Sequence, residues 1–222
     1  MIETFFPNVE MSKFWEKTYE TVYMTGISLV FIFIFGILLG LLLFLTSKGN
    51  IWQNRVINWI IAAVVNIFRA IPFVILIILL IPFTRGIMGT MIGPNAALPA
   101  LIIGSAPFYA RMVEIGLREV NKGVIEAAQA MGARTSTIIF KVLLPESMPA
   151  IISGLTVTAI ALVGYTAIAG IIGAGGLGNY AHQYGFVRGN NDVTLFGTIA
   201  ILIIVFIIQF IGDTITKKLD KR

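Results

Sequence analysis

The sequence predicts an all-α integral membrane protein, folded as one bundle of five spans. Three observations carry this. First, 57% of the 222 residues are hydrophobic and only 12% are charged, against about 25% charged in a soluble domain. Second, the apolar runs are long and do not alternate, as barrel strands would; only helices and closed barrels satisfy their backbone in lipid. Third, one compact charged island, EAAQAMGARTSTIIFKVLLPESMP from Glu126 onward, lies between such runs.

A helix needs roughly 20 apolar residues to cross the hydrocarbon core. The first run, 23–46, has no charged residue. The second, 59–83, is interrupted by Arg69 and Pro72. The third, 95–113, carries Pro99 and Pro107 and continues into Arg111, Glu114 and Arg118, which are spaced for pairing on one helix face. The fourth spans 148–172 and the fifth 193–212. Residues 1–18 mix Phe5, Phe6, Phe14 and Trp15 with Glu3, Glu10 and Glu16. They read as an amphipathic lead-in at the outer interface, or as a plain linker. The domain proper is 19–215, and 216–222 form a basic cytoplasmic tail. Met-Ile-Glu at the start offers no basic region, so no cleavable signal is expected. No internal repeat is visible.

Orientation follows from the basic residues. With the charged island inside, eleven of the sixteen Lys and Arg residues are cytoplasmic and four (Lys13, Lys17, Arg85, Arg188) are outside. Lys and Arg concentrate in cytoplasmic loops, so the N-terminus is expected outside and the C-terminus inside. Arg69 falls within a span; it reads either as a snorkelling structural residue or as a functional charge. The basic residues are scattered among short loops, which argues against nucleic-acid binding.

Several chemistries are absent. There is no cysteine, so disulfides, thiolate catalysis and Cys-ligated metals are excluded. There is no G-x-x-x-x-G-K-[ST], the loop that cradles phosphates, so ATP hydrolysis by this chain alone is not expected. Gly173, Gly175 and Gly178 spell G-x-G-x-x-G, with Asp192 near the offset of a ribose-binding acid. The dinucleotide fingerprint requires a preceding strand, and here a span precedes it. The single histidine, His182, reads as a surface or outer-loop residue, and no metal site is expected. The dispersed methionines, Met131 among them, read as packing residues.

The segment 121–148 carries the functional signal. Asn121 can cap a short helix through Glu126, Ala127 and Ala128 to Met131. Gly132 permits a sharp turn. Thr135 or Ser136 can cap a second helix to Leu143, and Pro145 and Pro149 are expected to stop and redirect the chain. Ala127, Ala128 and Ala130 form a small face for a partner, and Glu126 offers it a carboxylate. This stretch resembles the cytoplasmic EAA loop of ABC-importer membrane subunits, which reads EAA, three residues, Gly, nine residues, Ile, one residue, Leu-Pro. Glu126, Ala127, Ala128, Gly132, Leu144 and Pro145 match; Val142 stands where Ile is usual.

The segments FRAIPFVILIILLIPFTR, SAPFYARMVE and LVGYTAIAGIIGAGGLGNYAHQYG resemble the MetI-like family of methionine-importer permeases, from about Thr18 onward. The resemblance implies a five-span ABC type I importer transmembrane domain with a cytoplasmic coupling-helix loop, in a bacterial cell membrane. It implies a homodimer, two ATP-binding cassette ATPase subunits that hold ATP and magnesium, and an external substrate-binding lipoprotein. No cofactor would sit on this chain. The cargo would be methionine, L- and D-, with glycine betaine or polar amino acids as alternatives. A secondary transporter is a further alternative, but it would show repeats and intramembrane carboxylates. The uncharged stretch 147–181 is longer than one span, so its helix must end and leave extra backbone. Gly164, Tyr165, Ile168, Gly173 and Gly175 are the gate candidates along the path, with tight packing of the fourth span the competing reading for each.

Overall fold

The structure, a computed structural model, describes residues 6–220. Glu3 and Phe5 of the expected lead-in, and Lys221 and Arg222 of the tail, lie outside the described residues. Ten α-helices follow in chain order: α1 (Met11–Thr46), α2 (Arg55–Ala70), α3 (Phe73–Leu79), α4 (Ile81–Met88), α5 (Pro94–Arg118), α6 (Lys122–Ala130), α7 (Thr135–Ile138), α8 (Leu144–Ala169), α9 (Gly176–Asn179) and α10 (Asn191–Leu219). Three π-helical segments, Ile139–Leu143, Gly170–Ala174 and Tyr180–Phe186, join some of them. Four helical runs are long and apolar enough to cross a membrane, and five if the bent pair α2 and α3 counts as one span.

The first helix is longer than its apolar run. It starts at Met11 and spans 36 residues. Residues 11–18 are therefore the opening turns of α1, not a separate segment. Phe14 is the cause. It is buried and packs edge-on against Phe196 of α10 at 4.8 Å and Tyr180 at 6.2 Å.

The second span is broken. Asn54 caps α2, its side chain accepting from the N–H groups of Val56 and Ile57 at 3.1 Å. The helix ends at Ala70 because Pro72 has no N–H and its ring pushes Ile71 into the extended region. The chain resumes as α3, bent by 104° from α2.

The fourth span departs from expectation in the other direction. Thr135–Ala174 is one continuous helical run of 40 residues. Pro145 and Pro149 do not stop it. Pro145 sits in the first turn of α8, directly after the π segment Ile139–Leu143. A π turn shifts the hydrogen-bond ladder by one residue, so the missing Pro N–H falls where the ladder is already offset. Ser147 Oγ donates to the Leu143 carbonyl at 2.6 Å. The start of α7 has Arg134, not Thr135 or Ser136, at the cap position, with no side-chain bond to it.

The core lies between α1, α5 and α8, with Ile32, Tyr109, Leu101, Ile151 and Leu162 fully buried. Small residues set the helix spacing, as membrane packing requires. A Cβ on Gly40 of α1 would lie 2.7 Å from the Ala110 carbonyl oxygen of α5, and one on Gly116 of α5 would lie 2.9 Å from Ala150 Cβ of α8. By contrast, only 17% of the α10 span window is buried within the chain. Its outer residues, Leu202, Phe206 and Phe210, are left to lipid or to another chain.

Candidate functional site

The EAA segment forms as a capped helix with one face free. Asn121 Oδ1 accepts from the Gly123 N–H at 2.8 Å and so caps α6. At the other end Gly132 has φ +75, a left-handed conformation that suits glycine. The Gly132 N–H reaches the Gln129 carbonyl at 2.9 Å, and the Ala133 N–H reaches the Ala128 carbonyl at 3.0 Å. That pair of bonds is the Schellman closure of a helix.

The six residues of the motif divide by burial. Ile125 and Ala128, three apart on one face, are buried in the core with Ile138, Ile139 and Leu143. Ala128 is therefore not on the partner-facing side, as the small-face reading expected; it lets α6 sit close to the bundle. Glu126, Ala127, Ala130 and Gly132 are exposed. Leu144 is half-buried against the core and Pro145 is exposed. Two exposed apolar side chains join the free face: Met131 is 81% exposed and Phe140 68%. Met131 is thus not a packing residue. Neither carries a clear local signal: Phe140 has Leu143 and Leu144 at helical spacing, and Met131 has Ala127 and Ala128.

The loop is braced from two sides. Glu126, Lys122 and Gln129 line a cleft with Gly49, Asn50 and Ile51, the turn that follows α1. At the end of α5, just before α6, Glu114 is 2% exposed and its carboxylate is held by Arg111 on one oxygen and Arg118 on the other, the latter at 2.7 Å. The expected spacing of these three charges is realised. A buried carboxylate persists only when paired and hydrogen-bonded in this way.

The gate candidates do not share one location. Gly173 (φ +111) breaks the run, and Gly175 (φ +83) turns it back. The returning chain presses α9 against the end of α8: a Cβ on Gly170 would lie 2.7 Å from the Asn179 nitrogen, and one on Gly178 would collide with the Ala167 backbone. The uncharged stretch does end in extra backbone, folded as a hairpin. Its N–H groups are met from α1, with Gly176 donating to Glu20 Oε2 at 2.6 Å and Leu177 to Thr21 Oγ1 at 2.8 Å. Lys17 bonds the other Glu20 oxygen at 2.9 Å. Burial raises the nearby Tyr180 hydroxyl above its ordinary pKa. Ile168 is half-buried and packs on the core. Gly164 is exposed, and a Cβ there would meet nothing within 4 Å, so tight packing does not explain it. Tyr165 stacks on Phe73 at 4.5 Å in a separate cleft. His182 is half-buried and stacks on Phe186 at 6.0 Å. Among the described residues no cluster of His, Asp and Glu could hold a metal.

The binding-protein-dependent transport system inner membrane component family matches residues 32–222. The chain belongs to this family. It is 69% identical over 222 residues to the methionine import system permease protein MetP of Bacillus subtilis, covering 100% of both chains. It is 44% identical over 214 residues to the probable D-methionine transport system permease protein MetI of Pasteurella multocida, covering 95% of this chain and 99% of that one. Among solved structures, the fold matches inward-facing conformations of the MetNI methionine ABC transporter with a TM-score of 0.93 at 45% identity, over 95% of this chain and 98% of that one. An amino acid ABC transporter crystallised with histidines shares the fold alone, with a TM-score of 0.76 at 18% identity over 94% of each chain.

Proposed function

We propose that this chain is the methionine-translocating permease subunit of an ATP-driven importer, and that α6 is the handle on which a separate ATPase pulls. The observation that carries the reading is the free face of α6. Glu126, Ala127, Ala130 and Met131 project from a helix closed at both ends and seated on the bundle by Ile125 and Ala128. A helix fixed in this way transmits a push to α5 and α8 instead of absorbing it. Methionine as cargo is supported by the relatives named above.

In this reading two copies pair about a two-fold axis, and each engages one ATPase, which holds the ATP and magnesium. A binding lipoprotein delivers substrate at the hairpin end. The α6 end faces the cytoplasm of a bacterium, with the N-terminus outside. The chain carries no phosphate-cradling loop of its own, so hydrolysis belongs to the partner. Energy enters as the partner's different affinity for the two states of the permease. Gly164, Tyr165 and Ile168 then line the path, and the 173–178 hairpin closes it.

Purification of the solubilised chain from its host tests this. A co-purifying ATPase, lost on Glu126→Lys while the chain still folds, is the expected result. Methionine uptake in vesicles that lack the ATPase, driven by an ion gradient alone, would sink the proposal.

A further inference from the structure

The break between α2 and α3 opens a cleft of about 260 Å³ lined by Phe68, Arg69, Phe73, Gly104, Phe108 and Tyr165. Its size is just below the ~300 Å³ at which small-molecule pockets begin, the scale of a single amino acid. Four of these side chains are aromatic rings. The Arg69 guanidinium is exposed and has neither an ion pair nor a hydrogen bond among the described residues. By contrast Glu114, near the end of α5, is clasped by two arginines. Arg69 thus stands out as an unpaired charge in the middle of a broken span.

We infer that this cleft is a transient binding site for the α-carboxylate and side chain of the transported amino acid, with Arg69 as the carboxylate contact. The inference rests on the proposed function, and it adds residues that would recognise the cargo. A guanidinium presents a planar fork of donors that matches a carboxylate on two oxygens. The last carbonyls of α2 have no following turn to bond them, because Pro72 supplies no N–H. They form the negative end of a half-helix, which suits the substrate ammonium. Discontinuous helices whose ends meet opposite charges of the substrate recur in transporters. A thioether gains contact with ring edges, which Phe68, Phe73, Phe108 and Tyr165 supply. Gly104 lets α3 lie close to α5 along this wall: a Cβ there would come within 3.1 Å of Leu76 and 3.3 Å of Phe73. The site is open on one side, so it can release what it holds.

The chain has no cysteine, so Ile71→Cys places a unique thiol at the cleft. The test is the rate at which N-ethylmaleimide labels that thiol in the purified full-length permease, in the complex it forms. Methionine is expected to slow labelling, and methioninol, which lacks the carboxylate, is not. Adding Arg69→Met should weaken the protective affinity at least about tenfold, since a hydrogen bond to a charged group is worth about 1.5–3 kcal/mol; Arg69→Lys should retain part of it. Equal protection by methionine and methioninol would overturn the proposal, even if Arg69→Met fails to fold. So would undiminished protection in a folded Arg69→Met chain. Uptake of labelled methionine by the unmodified chain separates the two readings. Uptake without protection sinks only the cleft; absent uptake sinks the proposed function as well.

Discussion

The glycine hairpin at 170–178 and the loop at 121–134 lie at opposite ends of α1, and they use glycine for opposite reasons. In the hairpin, Gly170 and Gly178 are glycine because there is no room: the returning backbone occupies the space a Cβ on Gly170 would need, and the Ala167 backbone of α8 the space a Cβ on Gly178 would need. In the loop, Gly132 has nothing within 4 Å of a Cβ, and only its φ of +75 demands glycine. Two of the hairpin's N–H groups, on Gly176 and Leu177, are met by Glu20 and Thr21 of α1. The loop satisfies its backbone too, but leaves Met131 and Phe140 uncovered. The hairpin's backbone is closed by the chain itself, with only Ile171 and Ile172 exposed at its tip. The loop presents two large apolar side chains, one of them 81% exposed, on a polar face.

Four variants test this contrast. The largest effect is expected from Gly178→Val, which forces a branched side chain into the Ala167 backbone. A loss of about 3 kcal/mol or more should appear as a collapsed melting transition in detergent. A stable Gly178→Val chain would show that the hairpin is not tightly closed. Next comes Glu114→Gln, which weakens charge-assisted bonds at the end of α5. Leaving a buried acceptor poorly matched costs about 1–3 kcal/mol, read as a lower melting temperature together with reduced uptake. Gly132→Val should then cost about 1–3 kcal/mol of backbone strain, local to the loop. Its signature is loss of ATPase co-purification from a bundle that still melts cooperatively. If it unfolds the bundle instead, the loop is part of the core and the contrast fails. The smallest effect is expected from Glu20→Gln, which keeps an acceptor for Gly176 but loses its charge. About 1 kcal/mol should register as faster hydrogen exchange at Gly176 and Leu177, with α6 unaffected.

The loop was far more legible than the hairpin. Asn121 and Gly132 are local signals, each tied to a bond pattern within a few residues, and the chain realises both. The apolar runs were legible because lipid imposes length and composition directly. Ala128 was misplaced because its face depends on Ile138 and Leu143, which reach it only after the turn. Pro72 announced an interruption but not its angle; a proline kinks or breaks a helix according to what packs around it. Pro145 is misleading for the same reason, since a π turn just before it offsets the ladder at the missing donor; Pro149 is held inside α8 without ending it. The hairpin's glycines were visible, but their partners, Glu20 and Ala167, are remote in sequence or across a fold-back that no local pattern encodes. Arg69 is visible in the sequence as a charge in a span. Its aromatic surroundings come from α3, α5 and α8 and needed the fold.

Helix α1 has a further consequence. Its 36 residues make a rod about 54 Å long at 1.5 Å per residue, unbroken by proline or kink. Near its start Glu20 and Thr21 grip the hairpin, and just past its end Gly49 and Asn50 abut α6. A rod pivoting by about 10° swings one tip relative to the other by roughly 9 Å over that length. In the proposed importer, leverage of that size would carry a displacement at the α6 end to the Glu20 and Thr21 contacts with the hairpin, with no relay of side chains in between.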